Sequence, residues 1–319
     1  MNESLIQLLH RALRLARERQ RAVACLVVNA RGSTPQAAGA LMLVDESANT
    51  FGTIGGGCVE AEVRRRAIEM MQENRSGVLS FKLNHDYGWD DGLICGGTIE
   101  VAVAALPDAE SIGGAIRAIE SRRPFALSFE VEAGGEAVRY DLSLPPRPRL
   151  LIAGAGHVGQ AVARLALDLE FDVTIYDDRA DLLKKLAPPE CTMVSGDIAE
   201  HLASAEIGGD TYCLIVTRGH RHDEQALEAV VGRGAKYIGM IGSRRKVKLI
   251  YDDLIERGAD PRALETVRAP VGLDIGAVTV EEIAVSIAAQ LVEVRRAART
   301  KPVSGPLPIA RVPALEVAG

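Results

Sequence analysis

The sequence lacks three features that would set it apart from ordinary globular proteins. It has no stripe of basic residues and its net charge is −6, which argues against a nucleic-acid partner. It has no apolar run as long as a membrane span, so no membrane association is expected. Its first twenty residues form an amphipathic helical pattern rather than a basic leader with an apolar core, so no secretory signal is expected.

Cysteine is scarce and shows no paired spacing. The chain has five cysteines and no CxxC pair, a pattern typical of a reducing compartment rather than of a disulfide framework. We therefore expect a cytoplasmic protein. A length of 319 residues, with 47% hydrophobic and 25% charged residues, predicts about two domains that each bury a core.

The best-defined pattern in the chain lies at residues 147–179. An apolar run of strand length leads into Gly154, Gly156 and Gly159, which have GxGxxG spacing. An amphipathic helical pattern follows, and then a second apolar run that ends at Asp177. Strand, turn, helix and strand in this order carry the dinucleotide-binding fingerprint.

Each residue of this fingerprint has an expected role. Gly154 permits the tight turn, Gly156 lets the backbone approach a pyrophosphate, and Gly159 lets the helix pack close to the strand. The first helical amides then point at phosphates. Asp177 is expected to accept from a ribose hydroxyl, which favours an unphosphorylated ribose over a 2′-phosphate held by Arg179. The alternative is a Rossmann fold whose site is empty or repurposed.

The strand–helix alternation continues through the second half of the chain. Apolar runs at 191–194, 212–216 and 237–241 predict three further strands, and hence a Rossmann-like, doubly wound parallel sheet. Arg218 and His220 follow the fourth strand, in the loop where such folds place ligand contacts.

Two stretches of this half are candidate ligand sites. Ser243 is a predicted N-cap, followed by Arg244, Arg245 and a lysine. Cations are unfavourable in a first helical turn, so they favour a bound phosphate over a solvated basic turn. His220 and His222 form a weaker candidate for a metal pair with Asp223. Without a third ligand at diagnostic spacing, ligand contact or helix capping is favoured there.

A second glycine-rich stretch lies in the first half, where apolar runs predict strands at 22–28 and 40–44. Gly55, Gly56 and Gly57 immediately precede a helical pattern. Cys58 is therefore expected at the helix N-terminus, where the dipole favours the thiolate. The alternative interpretation is a tight turn followed by a small buried residue.

Cys95 is also followed by glycines, between predicted strands at 78–83 and 98–104. Two glycine-flanked cysteines suggest a thiol site, whereas Cys25 and Cys213 lie in apolar strands and are expected to fill the core. His85 and its acidic neighbours are a candidate hard-metal cluster, although a solvated acidic loop is the favoured interpretation.

Domain boundaries follow from the remaining patterns. A helix at 109–119 and a hairpin over 125–144 precede a proline-rich linker at 145–148. We expect a smaller N-terminal α/β domain at 1–146, the Rossmann-like domain at 147–299 and a flexible tail at 300–319.

Several blocks together resemble the xanthine dehydrogenase accessory factor family, XdhC/CoxI. They occur in the family's order over about residues 20–297, and they are the stretches at 55–60, 95–97, 154–159, 216–220, 238–246 and 272–276. One departure is Gln36, where a basic residue is expected, so an anion contact in that loop is in doubt.

The resemblance implies a two-domain α/β protein that binds molybdenum cofactor, as molybdopterin or its cytosine dinucleotide. Such a protein protects the cofactor during sulfuration by a cysteine desulfurase and helps to insert it into an apo molybdenum hydroxylase. Cys58 or Cys95 is then a molybdenum-proximal thiolate or a sulfur relay, and a homodimer is implied. The candidate cofactor-binding residues are Gly55, Gly56, Gly57, Cys58, Cys95, Gly154, Gly156, His157, Gly159, Asp177, Arg218, His220, Ser243, Arg244 and Arg245.

Two other functions stay open at this point. The first is an NAD-dependent oxidoreductase, for which NAD(P) is the cofactor and His220 or His157 the candidate proton-transfer residue. The second is a redox or nucleotide sensor that binds NAD(H) without turnover. The pterin cofactor carries phosphate and fits the predicted anion sites better, so a maturation factor rather than an enzyme is expected.

Overall fold

The computed structural model describes residues 4–83, 97–186, 188–297 and 302–308. Contacts within the chain divide it into two compact units, one of Met1–Pro146 with Thr300–Gly319 and the other of Arg147–Arg299. Cys95 and the acidic loop around His85 lie outside the described residues.

The first unit is built on an antiparallel sheet. Its elements up to the domain linker are α1 (Leu5–Arg17), β1 (Ala22–Arg31), β2 (Leu41–Asp45), β3 (Thr50–Gly52), α2 (Gly57–Gln72), β4 (Gly77–Lys82), β5 (Thr98–Ala105), α3 (Ala109–Glu120), β6 (Phe125–Ala133) and β7 (Glu136–Leu144). Five of the strands form a sheet in the order β3-β2-β1-β5-β4, and β6 and β7 form a hairpin in a second sheet.

Residues 23–27 of strand β1 are all apolar because both faces of the strand are covered there. Ala24 and Leu26 pack in a cluster with side chains of α1 and α3, whereas Val23 and Cys25 pack in a cluster with side chains of α2. Burial raises the pKa of the Cys25 thiol to about 12, which keeps the thiol neutral. The predicted core-filling role of Cys25 is therefore confirmed.

The second unit is a doubly wound α/β domain, as the sequence predicts. Its elements are β8 (Arg149–Ala153), α4 (His157–Asp168), β9 (Asp172–Asp177), α5 (Ala180–Leu186), β10 (Thr192–Ser195), α6 (Ile198–Ser204), β11 (Thr211–Ile215), α7 (His220–Val230), β12 (Tyr237–Met240), α8 (Arg244–Glu256), α9 (Pro261–Glu265) and α10 (Val280–Ala297). All strands of the sheet are parallel, in the order β10-β9-β8-β11-β12. The chain builds the sheet outwards from β8 in one direction and then from β11 in the other, so the strand order reverses between β8 and β11.

Alternate residues of these strands pack on opposite faces of the sheet. Leu150 and Ile152 of β8 face the layer that contains α4 and α10, whereas Leu151 and Ala153 face the layer of α6, α7 and α8. Cys213 of β11 is buried in the second layer, and burial raises the pKa of its thiol to about 12. Its expected core-filling role is also confirmed.

The tail expected at 300–319 to be flexible contains a strand. Val303–Pro308 forms β13, which pairs antiparallel with β7 of the first unit. The expectation was wrong for these residues. They have no alternating apolar pattern from which a strand could be predicted. Their partner is the open edge of β7, and the backbone N–H of Ser143 also donates to Pro302 O at 2.8 Å.

We predict that Gly159→Ala destabilises the second unit by about 1–3 kcal/mol, the usual cost of overpacking. A Cβ at this position would collide with the carbonyl oxygen of Gly154, where the helix approaches the strand. Hydrogen exchange of the slowest amides in β8 and β11 measures the change. Gly209→Ala is the control, because nothing lies within 4 Å of its Cβ position. Equal stability of the two variants would contradict the prediction.

Candidate functional site

Loops and helix N-termini gather at the carboxyl edge of the parallel sheet. Helix α4 follows β8 and α7 follows β11, and these neighbouring strands lie where the strand order reverses. The N-caps of α4 and α7 are Gly156 and Gly219, and neither N-terminus is capped by a side chain. Ligands of doubly wound sheets bind in the crevice at this reversal, and uncapped amides favour an anion there.

The three fingerprint glycines differ in their surroundings. Gly154 has φ +113°, and a Cβ there would lie 2.5 Å from the carbonyl oxygen of Val216. A Cβ on Gly159 would collide with Gly154 O. A Cβ on Gly156, by contrast, would meet nothing within 4 Å. Gly154 and Gly159 are therefore required by packing, and Gly156 is the glycine that leaves open space beside the backbone.

Asp177 is engaged within the protein at the end of β9. The backbone N–H of Ala155 donates to its Oδ2 at 2.7 Å, and Arg179 donates to the carboxylate from its backbone N–H, Nε and Nη2 at 3.0, 2.7 and 2.8 Å. Burial alone would raise the pKa of Asp177, but these hydrogen bonds lower it to about 2.

In this arrangement Asp177 is already engaged, and its predicted contact with a ribose hydroxyl stays a prediction. The residue is 1% exposed, and its two oxygens already accept four hydrogen bonds from protein donors. A neutral hydroxyl would have to displace a charged guanidinium, which makes the stronger hydrogen bond. Asp177 fixes the glycine loop through Ala155.

Arg218, at the end of the neighbouring loop, forms an ion pair across the edge. Its Nη2 lies 2.6 Å from Oδ2 of Asp178, which directly follows β9. The other oxygen of Asp178 lies 3.7 Å from Nε of Arg179. The exposed Asp178 carboxylate therefore faces two guanidinium groups.

His220 and His222 do not form the metal pair considered from the sequence. The two histidines lie on a helix, because Gly219 is an N-cap and His220 starts α7. Residues two apart on a helix do not face each other. Asp223 is fully buried and binds Thr217 and Lys246 instead. Within the described ranges, no three or more His, Cys, Asp or Glu side chains are grouped to hold a metal ion.

The basic turn at the start of α8 is divided between two environments. Ser243 caps the helix, since the backbone N–H of Lys246 donates to its Oγ at 3.3 Å. Arg244 and Arg245 are exposed, whereas Lys246 pairs with the buried Asp223 of α7. Two of the three cations therefore face solvent at this edge, and the third links two helices.

The first unit holds a similar glycine-rich loop. Gly56 is the N-cap of α2 without a side-chain cap, and Cys58 lies half-buried in the first helical turn, as expected. Gly56 and Gly57 have φ of +72° and +65°, and Cβ atoms on either would meet nothing within 4 Å. Gly55 differs, because its Cβ would lie 2.5 Å from Pro35 Cβ.

Glu60 holds this loop in place. Its Oε2 accepts from Thr53 Oγ1 at 2.6 Å and from the backbone N–H groups of Ile54 and Gly56 at 3.0 Å each. Partial burial raises the pKa of Glu60, but these hydrogen bonds outweigh it and lower the pKa below its usual range. Sequence reasoning missed this role and those of Asp178 and Lys246. The sequence feature that could have predicted the role of Glu60 is an acidic residue four positions after the N-cap glycine.

A surface cavity of about 610 Å³ lies elsewhere in the first unit. It borders the C-terminal ends of α1 and α2, where Arg21 donates to Met71 O and Asn74 Oδ1. None of the sequence-predicted site residues lines it. Its size therefore does not make it the candidate site.

Two family profiles match the chain. The profile described as XdhC Rossmann domain matches residues 150–291, which include the parallel sheet and its glycine loop. The profile described as XdhC and CoxI family matches residues 15–82, which include the glycine-rich loop before α2.

No helix within the described residues combines the length and apolar composition that a bilayer crossing needs.

Three curated relatives are similar to the chain. The uncharacterised protein YqeB of Escherichia coli K12 is 30% identical over 84% of this chain, which spans only 42% of that protein. The molybdenum cofactor insertion chaperone PaoD of the same organism is 28% identical, covering 86% of this chain and 83% of PaoD. A probable xanthine dehydrogenase subunit of Bacillus subtilis 168 is 26% identical, covering 88% of this chain and 96% of that protein.

A solved structure shares the fold. A crystal structure described as a xanthine dehydrogenase from Bacillus halodurans has a TM-score of 0.79 and 22% sequence identity. The match covers 93% of this chain and 97% of that chain. The likeness therefore extends over both units and shows a common fold.

We predict that Asp177→Asn destabilises the second unit by about 2 kcal/mol at pH 7, because a pKa lowered by nearly two units corresponds to that free energy. The folded-state pKa lies below the unfolded value of about 3.9, so the ionised group stabilises above about pH 4. This contribution is lost as the pH falls towards 2, and the two proteins should converge.

Hydrogen exchange and urea unfolding between pH 2.5 and pH 7 measure this difference. Glu206→Gln is the control, since Glu206 is 90% exposed and its pair with Arg149 is long, at 3.5 Å. A pH-independent difference between Asp177→Asn and the unaltered protein would show that the carboxylate charge does not hold the loop.

Proposed function

The chain belongs to the XdhC and CoxI family, and we propose that it binds molybdenum cofactor and helps to insert it into an apo molybdenum hydroxylase such as xanthine dehydrogenase. In this proposal it also protects the cofactor while a cysteine desulfurase supplies sulfur. The protein acts as a maturation chaperone rather than as an enzyme, in the cytoplasm and as a homodimer.

The observation that carries the proposal is the open space beside Gly156 at the N-terminus of α4. The backbone amides there have no side-chain cap, and Arg218 and Arg179 supply guanidinium groups at the same edge of the sheet. These donors suit a phosphate-bearing ligand. Molybdopterin carries a phosphate and its cytosine dinucleotide a pyrophosphate, so both forms fit the donor set.

The names of two relatives support the class of enzyme that we propose as the recipient of the cofactor. PaoD is named as a molybdenum cofactor insertion chaperone and spans most of the present chain at 28% identity. The Bacillus subtilis relative is named as a probable subunit of xanthine dehydrogenase. A molybdenum hydroxylase is therefore the proposed recipient of the cofactor.

Cofactor content tests the proposal directly. The protein is purified anaerobically from cells that make molybdenum cofactor, and assayed for molybdenum and, after oxidative release, for pterin fluorescence. Stoichiometric pterin with molybdenum is expected. The absence of both, together with tight NAD(H) binding, would reject the carrier function in favour of an oxidoreductase or a sensor.

In the same assay, Gly156→Ala should reduce the retained cofactor about tenfold, because its methyl group enters the space through which the phosphate approaches the amides. Gly156 has an extended backbone with φ −69°, so alanine is tolerated and stability should fall by less than about 1 kcal/mol. Gly209→Ala should retain the cofactor fully. Unchanged retention in Gly156→Ala would show that the phosphate does not bind at this position.

Cys58 is proposed as a thiolate near the metal or as a sulfur relay, with Cys95 as its counterpart. We expect Cys58→Ser and Cys95→Ser to lower cofactor retention or the activation of the apo hydroxylase, since serine replaces a soft ligand by a hard one. Cys191→Ala is the control, because this buried thiol lies outside both glycine-rich stretches. Full retention and activation in both serine variants would exclude a thiol role.

A further inference from the structure

Four charged side chains form a continuous network at the carboxyl ends of β9 and β11. Asp177 binds Arg179, Arg179 faces Asp178, and Asp178 binds Arg218. Asp177 is buried, whereas the side chains of Asp178 and Arg179 are each 38% exposed and that of Arg218 is 52% exposed. The solvent-facing part of the network is therefore one carboxylate between two guanidinium groups.

The position of this carboxylate follows from the strand order. Strand β8 lies between β9 and β11, so a side-chain pair that joins the ends of β9 and β11 passes across the loop that follows β8. That loop carries Gly154 and Gly156, and its Ala155 N–H is fixed by Asp177. Asp178 and Arg218 thus join the ends of the two strands that flank β8, at the sheet edge where α4 begins.

One oxygen of Asp178 is bound by a guanidinium, and the other lies at ion-pair distance from a second one. Oδ2 lies 2.6 Å from Arg218 Nη2 and Oδ1 lies 3.7 Å from Arg179 Nε. Guanidinium groups bind phosphate with the same donors that they use for carboxylate, and a phosphate brings more charge and more acceptor oxygens. A ligand phosphate can therefore replace an exposed carboxylate here, whereas a ribose hydroxyl cannot.

We propose that Asp178 occupies the anion position of this site in the ligand-free protein, and that a ligand phosphate displaces it to bind Arg218, with the positive charge of Arg179 beside it. The inference rests on the proposed function, and it names the group that the crevice recognises as a phosphate. Arg218 and Arg179 are the residues that determine this specificity, and Asp178 is a built-in competitor.

Calorimetric titration with inorganic pyrophosphate tests the proposal in five versions of the full chain. Asp178→Asn removes the competitor and should tighten binding about two- to fivefold, the range expected for an exposed ion pair. Arg218→Gln removes a charged donor and should weaken binding about tenfold. The matched controls are Glu228→Gln and Arg257→Gln, which make the same charge changes in the exposed pair between α7 and the end of α8.

The controls separate a specific site from general electrostatics. Tighter binding in Asp178→Asn with no change in Glu228→Gln supports the proposal, and equal effects in the two variants would overturn it. Failure of pyrophosphate to bind the unaltered protein and Asp178→Asn would also overturn it.

Cofactor retention by the same five proteins distinguishes this inference from the proposed function. Retained pterin that is unaffected by Arg218→Gln leaves the carrier function intact and overturns the inference. Pyrophosphate binding with the expected order of affinities, but no retained pterin, supports the phosphate site and rejects the carrier function.

Discussion

The candidate sites depend on carboxylates that accept backbone N–H groups from glycine-rich loops. Glycine loops have no side chains with which to fix their own shape, so an acceptor outside the loop must hold them. Glu60 holds the loop before α2 and Asp177 the loop before α4, and Asp223 likewise accepts from the backbone of Thr217 in the loop before α7, which has a single glycine. Removing a buried acceptor costs about 1–3 kcal/mol because its donors are left without partners. The helix amides beyond these loops then keep a defined direction and stay available for a ligand.

Asp177 shows how a carboxylate with this role changes the ligand chemistry of the fold. In the dinucleotide-binding arrangement, the glycine loop binds pyrophosphate and the acid at the end of the next strand binds ribose. Here the glycine loop and the uncapped helix are retained, but the acid is bound by Ala155 and Arg179. The phosphate-binding part of the arrangement is present and the ribose-binding part is altered. An engaged Asp177 argues against a ligand that needs a ribose contact at this position, and the phosphate contacts suit the pterin cofactor that we propose.

Sequence reasoning was most successful where steric constraints are local. Continuous apolar runs predicted the buried strands, and Gly154 and Gly159 prove to be required by collisions that any Cβ would cause. The partner of Asp177 was not predictable, because an arginine two residues later and a ribose hydroxyl are equally compatible with its spacing. The helical start at His220 was missed since a loop pattern runs up to its N-cap glycine. Strand β13 was missed because its pairing depends on the edge of β7, which lies far away in sequence.

At the basic turn of α8, charge alone does not distinguish a phosphate site from a solvated turn, and the contacts of each side chain are needed. Three successive cations in a first helical turn oppose the macrodipole, and this mismatch favours a bound phosphate. The buried Asp223 neutralises Lys246, which leaves Arg244 and Arg245 as the cations facing solvent at this edge. Because Ser243 already accepts a hydrogen bond from the first turn of α8, a bound anion would find fewer unpaired amides there than the sequence indicates. At α4 the N-terminus has no side-chain cap, and Arg179 and Arg218 are paired with Asp177 and Asp178. An anion at α4 therefore meets uncapped amides beside a charge-balanced network, whereas an anion at α8 meets two exposed arginines beside a capped N-terminus.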